Sequence, residues 1–283
     1  MKKYRLLAVI SISISIFSSA LPTGNAVAGQ AARDLDKYLS HLPADLKLKE
    51  NGPQKYSFIC DYFTLDTKGD LLGKDRISGD YTRGLPEGKV RWTNVRIAQA
   101  KGLSDPFPQG ALQSYMEGFT YKIVREEDLA SKDFFAGFPP AEFRTKNLVW
   151  DTLMFESFAW NDFGKLSLNK PYHFLREENV NLAGAGNFKN NDVELTWTGI
   201  SKRNGVVCAL IRYEAFFNRL DISIANFNAK GRSHYWGEIW VSLETKQIEY
   251  GTLREDVLLE TRVTGQPGPA VANVFREGIF QKQ

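Results

Sequence analysis

The sequence contains few of the residues that most often build metal sites. It has 2 cysteines and 3 histidines in 283 residues, and no HExxH or CxxC motif. His41, His173 and His234 lie in three separate segments, without a metal-ligand spacing. Gly184-Ala185-Gly186 opens no helical pattern, so it does not predict a dinucleotide loop. We therefore expect no bound metal and no cofactor.

No charge of one sign predominates in most of the chain. The formal net charge of +3 comes from Lys2, Lys3 and Arg5, the only charged residues among the first 28, so residues 29–283 carry as many basic as acidic side chains. Domains that bind nucleic acid normally show a basic surplus or a basic stripe. We expect no nucleic-acid partner.

No hydrophobic run reaches the roughly 20 residues that a membrane-spanning helix needs. The apolar run at residues 6–17 follows the three basic residues and precedes Ala26-Val27-Ala28, which together form the pattern of a secretory signal peptide. The sequence predicts a signal peptide over residues 1–28, no lipid anchor, and no transmembrane segment after cleavage. It has no Asn-x-Ser/Thr sequon, which favours a bacterial exported protein in the periplasm or outside the cell.

Cys60 and Cys208 each lie in a short apolar run with the character of a β-strand. An oxidising compartment permits a disulfide between them, and closing so long a loop would stabilise the fold. Two separate buried thiols that act as small hydrophobic side chains explain the same pattern. The sequence does not decide between these two alternatives.

The composition is that of a globular protein, with 43% hydrophobic, 13% aromatic and 24% charged residues. Alternating patterns predict strands early in the chain and an antiparallel meander over residues 193–259, while apolar residues at helical spacing predict a few helices. The predicted early strands are residues 55–66, 71–81 and 88–98, and the predicted helices are residues 35–42, 112–119 and 146–158. We predict an α+β fold, a large curved antiparallel sheet (a half-barrel or partial barrel) with a few short helices on its concave side.

The predicted organisation is one α+β domain over residues 29–265, since no repeat or low-complexity linker divides it. Residues 266–283 are predicted to form a C-terminal tail with a short helix, because Val271, Val274, Phe275 and Ile279 have helical spacing.

The segment Trp236-Gly237-Glu238-Ile239-Trp240 places a carboxylate between two indoles on one face of a strand. Such an acid is suited to general acid catalysis on a glycan, but a second carboxylate is needed about 5 to 9 Å away. The candidates for that second carboxylate are Asp61, Glu194, Glu249 and Asp256. The alternative is that the indoles pack on a sheet and Glu238 pairs with Arg212 or Arg254.

Aromatic residues are dense in the middle of the chain, where they must either pack in a core or line a pocket. We expect core packing for most of them and a cleft for an apolar or lipid-like ligand for some. The candidate ligand-binding residues are Trp150, Phe155, Phe158, Trp160, Trp236, Glu238 and Trp240.

The meander ends with Tyr235-Trp236-Gly237-Glu238-Ile239-Trp240-Val241-Ser242, a turn, and Ile248-Glu249-Tyr250. This pattern, over about 70 residues, resembles the half-barrel of periplasmic lipoprotein carriers of the LolA/LolB type. The resemblance implies a concave sheet that binds acyl chains beneath helical lids, and it assigns no individual residue. We expect an exported, non-catalytic binding or carrier protein; an envelope glycan hydrolase that uses Glu238 and a purely structural envelope protein are the alternatives.

The signal-peptide pattern predicts cleavage between Ala28 and Gly29. Amino-terminal sequencing of the exported protein should therefore begin at Gly29. A mature protein that keeps residues 6–17 would contradict this expectation.

Overall fold

The computed structural model describes residues 36–38, 52–123 and 133–283. The predicted signal peptide lies outside these residues, as does most of the predicted helix at 35–42, of which residues 36–38 are helical. The described strands form one 11-stranded antiparallel sheet that is not closed. They are β1 (Gln54–Leu65), β2 (Leu71–Leu85), β3 (Lys89–Ala100), β4 (Ala111–Leu112), β5 (Thr120–Lys122), β6 (Pro171–Asn181), β7 (Gly186–Arg203), β8 (Val206–Ile224), β9 (Phe227–Ser242), β10 (Ile248–Val263) and β11 (Ala270–Lys282).

One long helix, α1 (Phe143–Trp160), packs on the sheet. Its first turn is capped by the Glu142 carboxylate, which accepts a hydrogen bond from the Arg144 backbone N–H at 2.9 Å. The remaining described helical turns are three short 3₁₀ segments, Pro86–Gly88, Ser114–Met116 and Phe163–Lys165. The predicted fold class, a large curved antiparallel sheet with a few helices on one side, is confirmed.

The strand order is β4-β3-β2-β1-β11-β10-β9-β8-β7-β6, with β5 also pairing with β3. Most neighbours in the sheet are therefore neighbours in sequence. The exception is β11, which lies between β1 and β10 and pairs with both of them. The early strands and the meander that the alternating patterns predict are all present.

The prediction of a short helix near the C-terminus is wrong, because β11 occupies that segment. Helical spacing was a poor guide since Val271, Phe275 and Ile279 also share one face of a strand, as residues four apart always do. The unpaired edges of β1 and β10 flank the segment and supply backbone hydrogen-bond partners on both sides, which favours an extended chain.

The helix predicted for residues 112–119 is also wrong, since only the 3₁₀ turn Ser114–Met116 is helical there. The chain there follows the edge of β3 instead, with the Gln113 N–H bonded to the Val95 carbonyl and the Trp92 N–H bonded to the Phe119 carbonyl. Backbone pairing to an open sheet edge thus outweighs the local helical pattern.

Strand alternation divides the sheet into two faces. We call the face that contacts α1 the inner face; a row of buried inner residues crosses it. The opposite face is the outer face. The inner row consists of Phe58, Phe280, Gly251, Ile239, Ile211 and Trp197 on strands β1, β11, β10, β9, β8 and β7.

Candidate functional site: the inner face and its helix

Phe155 is the central contact between α1 and the inner face. Its ring is 5.6 Å from Phe280, stacked, and 5.8 Å from Phe58, edge to face. It lies over Gly251 of β10, where an added Cβ would be only 3.1 Å from the ring. Gly251 therefore makes room for the helix, and Phe155 is fully buried.

A buried charge cluster holds α1 on the same face. Arg276 of β11 lies directly across from Glu255 of β10 and forms ion pairs with both Glu255 and Asp151 of α1. Ser233 of β9 donates a hydrogen bond to Glu255 at 2.6 Å. The guanidinium also lies 5.1 Å from the Tyr62 ring. The cluster thus links the helix to four strands and is largely buried.

A second buried ion pair anchors the C-terminal half of α1. Glu156 is 2.9 Å from Arg83 of β2, and its carboxylate also accepts a hydrogen bond from the Tyr81 hydroxyl. Arg83 lies 4.3 Å from the Trp160 ring, whose indole N–H donates to the Lys246 carbonyl. The face of α1 that meets the sheet is therefore partly ionic, not uniformly apolar.

Burial raises the pKa of Asp151 to about 6, although Arg276 opposes the shift. The neighbouring Glu255 carboxylate adds to the increase. The ionised form of Asp151 is thus less stable in the folded chain than in water, despite its ion pair.

Both cysteines are free and fully buried. Cys60 belongs to the inner face. Ala209 and Ile211 are inner residues of β8, so Cys208, an odd number of positions from both, points to the outer side of that strand. The two thiols therefore lie on opposite faces of the sheet. They are separate buried thiols, and no disulfide joins them. Burial raises the pKa of each to about 12, which keeps them protonated and poorly reactive.

Most aromatic residues of the middle segment pack on one another. Between residues 115 and 150 they form a chain of edge-to-face and tilted contacts, with ring separations of 4.8 to 5.7 Å. This aromatic cluster consists of Tyr115, Phe119, Tyr121, Phe134, Phe135, Phe138 and Trp150. Core packing accounts for these rings, as we expected for most of them.

A second, smaller apolar cluster lies on the inner face beside the N-terminal half of α1. Only Leu182, Ile222 and Ala229 are buried in it, and a larger set of apolar side chains around them is only partly buried. We call the whole group the distal cluster. Its partly buried members are Phe143, Trp150, Phe188, Leu220, Phe227 and Leu259. Trp150 belongs to this cluster and also packs against the main core.

The predicted ligand-binding residues do not come together at one site. Trp150, Phe155, Phe158 and Trp160 lie on α1. The segment on β9 is turned the other way, because Tyr235 and Ile239 are its buried inner residues. A single cleft lined by all seven residues is therefore excluded, and the sheet separates the two groups. The outer group is Trp236, Glu238 and Trp240.

Glu238 makes contacts on the outer face that are typical of a structural side chain. Its carboxylate accepts a hydrogen bond from the Trp240 indole at 3.1 Å. Arg212 lies across from it on β8 but pairs with Glu214, while Arg254 pairs with Glu277. Neither predicted ion pair of Glu238 is thus present.

The candidate second carboxylates are scattered over several strands. Asp61 pairs with Arg76, and Glu249 pairs with Lys282. Glu194 lies on β7 and Asp256 on β10. The acid that the strand register places diagonally from Glu238 is Glu214 of β8, whose carboxylate is paired with Arg212. The described residues also contain no cluster of His, Cys, Asp and Glu suited to a metal ion, and no helix long and apolar enough to cross a membrane.

Sequence reasoning missed the ionic residues that hold α1. A signal was present in the spacing. Arg83 shares a strand face with Ile77 and Tyr81, and Asp151 lies three residues after Leu148 and four before Phe155 on a helix. Both charges therefore fall on apolar faces, which predicts burial with a partner of opposite charge.

No protein-family model and no curated protein sequence matches this chain. Among solved structures, the chain is similar to lipovitellin, from work on lipid-protein interactions in that protein, with 10% sequence identity and a TM-score of 0.41. The match covers 84% of this chain and 25% of the lipovitellin chain, so the present chain spans about a quarter of that protein. We base no functional inference on a similarity of this extent. The resemblance to LolA/LolB-type carriers stays a prediction.

Replacing Gly251 by valine should displace Phe155 and lower the free energy of unfolding by about 1–3 kcal/mol, the usual cost of overpacking. Chemical denaturation measures this change. Gly199→Val is the matched control, because a Cβ added at Gly199 of β7 meets nothing within 4 Å. Equal effects of the two substitutions would contradict the proposed fit of Phe155 over Gly251.

The raised pKa of Asp151 predicts a pH-dependent stability. Its contribution is fully present below the ordinary value of 3.8 and is lost as the pH rises through about 6. Between these limits the wild type should lose up to about 3 kcal/mol relative to Asp151→Asn, which keeps the side-chain shape but does not titrate. Denaturant unfolding at a series of pH values measures the difference, and parallel profiles of the two proteins would contradict it.

Proposed function

We propose that the protein is an exported, non-catalytic binding protein for an apolar, lipid-like ligand, and that the distal cluster of the inner face is where the ligand binds. The observation that carries this proposal is the incomplete burial of that cluster. Six apolar side chains surround three buried ones and remain partly exposed, although they lie beside a well-packed core. An apolar surface left open next to polar surroundings is typical of a ligand site.

The position of α1 supports the same assignment. Phe143 and Trp150 pack against the distal cluster from its N-terminal half, while Asp151, the next residue, and Phe155, one turn after Asp151, are fixed to the sheet. The helix thus has a rigid anchor next to the surface that we assign to the ligand. Preorganised walls of this kind reduce the conformational entropy lost on binding.

The proposed export rests on the signal-peptide pattern, and a bacterial envelope location rests on the absence of sequons. Both remain proposals to be tested by amino-terminal sequencing and cell fractionation. The surroundings of Glu238 do not favour the glycan-hydrolase alternative, because its carboxylate accepts a hydrogen bond from the Trp240 indole and the acid diagonally across on β8, Glu214, is paired with Arg212.

Binding of a fluorescent polyene fatty acid to the purified full chain tests the proposal. If the Trp150 indole covers ~60 Å² of ligand, Trp150→Ala should weaken binding by about tenfold, since ~1.5 kcal/mol of apolar burial is lost. Trp236→Ala, on the outer face, is the matched control and should bind as the wild type does.

Absence of saturable fatty-acid binding to the wild type would favour the purely structural alternative. Equal losses for the Trp150 and Trp236 variants would place the ligand elsewhere. Hydrolysis of a glycan by the wild type that is lost in Glu238→Gln would show that the protein is a glycan hydrolase and not a binding protein.

A further inference from the structure

A row of three cations crosses the outer face on neighbouring strands. Lys189 of β7 lies directly across from Arg219 of β8, which in turn lies directly across from Arg232 of β9. Both arginines are exposed. Like charges at directly opposed positions destabilise a sheet, so this arrangement lowers stability unless an anion is bound.

Few acidic groups balance the row. Glu177 is 3.7 Å from Lys189, and the nearby Asp221 is 3.6 Å from Lys230. Among the described residues, no carboxylate pairs with Arg219 or Arg232. The patch formed by these six residues therefore has a positive surplus that comes from the two arginines.

A distorted strand exposes aromatic rings beside the same row. The register of β8 shifts between Ala215 and Asn218, and this bulge contains Phe216 and Phe217. Phe217 is 66% exposed and has a φ of 61°, a conformation that is strained for a bulky side chain. Its ring packs edge-on against His234 at 5.1 Å but stays mostly in water, and strain at a mostly exposed phenylalanine points to a function for that ring.

Lys189, Arg219 and Phe217 also line one cleft of about 300 Å³, together with Glu177 and Asn191. Two cations, an amide and the Glu177 carboxylate thus line the cleft, and a large exposed ring stands at its side. A lipid headgroup carries an anionic phosphate next to apolar chains, so it matches both properties at once.

We propose that this outer patch binds the surface of an anionic phospholipid membrane, with a headgroup phosphate between Lys189 and Arg219 and the Phe217 ring inserted among the acyl chains. The site is separate from the distal cluster, which lies on the inner face. The membrane contact therefore stands whether or not the inner face binds a lipid-like ligand.

Co-sedimentation of the full chain with vesicles tests this proposal. The protein should bind vesicles of phosphatidylcholine mixed with phosphatidylglycerol and should bind phosphatidylcholine alone far more weakly. Each cation at a membrane surface contributes about fivefold, so the double variant Arg219→Gln, Arg232→Gln should bind about 30-fold more weakly. The matched control is Arg212→Gln with Arg254→Gln, which removes the same charge from outer-face residues that pair with acids.

The role of the ring is tested separately. Phe217→Asn should weaken vesicle binding yet keep the fold, because asparagine tolerates a positive φ. Leu72→Asn, at a residue that is 62% exposed on β2, is the matched control and should bind normally. In Phe217→Trp, the introduced indole should shift its fluorescence to the blue on contact with phosphatidylglycerol vesicles.

Three results would overturn the proposal. Equal binding to both kinds of vesicle would show that the anionic headgroup is not recognised. Equal losses in the arginine double variant and its control would show that the outer patch is not the binding surface. Binding to a soluble polyanion such as heparin, with no blue shift of the introduced indole on vesicles, would show that the partner of the patch is an anionic polymer and not a membrane.

Discussion

The arrangement of helix and sheet depends on one buried guanidinium. Arg276 projects from a central strand into the interior, where an unpaired charge would cost several kcal/mol. Glu255 supplies one partner from the neighbouring strand, and only a group that covers the sheet can supply a second from above. Asp151 does so, and its position along α1 then sets Phe155 one turn further on, over Gly251. The ionic contact thus selects the docking position that the apolar contact requires.

Much of the fold follows from local patterns, and the exceptions have identifiable causes. Alternation predicts β1 to β3 and the meander because one face of each strand is buried and the other is not. Alternation fails at β11, because apolar residues four apart share one face in a helix and also in a strand. The strand partners that decide between the two structures lie more than 180 residues away, at β1. Residues 112–119 fail for a related reason, since the open edge of β3 is not visible in the local sequence.

Of the ligand-binding residues that the sequence predicts, one lies in the proposed site. Trp150 was identified from the density of aromatic residues, and it does belong to the incompletely buried cluster. The alternating pattern correctly places Trp236, Glu238 and Trp240 on one face of a strand. It does not say whether that face is the inner or the outer one. Knowing that Tyr235 and Ile239 are the buried residues decides it. The fate of a strand's two faces depends on what packs against the sheet, and here that is α1.

The place of β11 in the sheet has a consequence for the way the chain folds. Strands β1 to β5 and strands β6 to β10 adjoin only through this last strand, which pairs with β1 over ten residues and with β10 over twelve. Before β11 joins them, the two groups of strands are separate sheets, each with an unsatisfied edge, and Asp151 has no guanidinium to pair with. Contacts between residues so far apart in sequence form slowly. Joining of the two sheets is therefore a late step of folding, and the unjoined edges must be kept from pairing with other chains until β11 is in place.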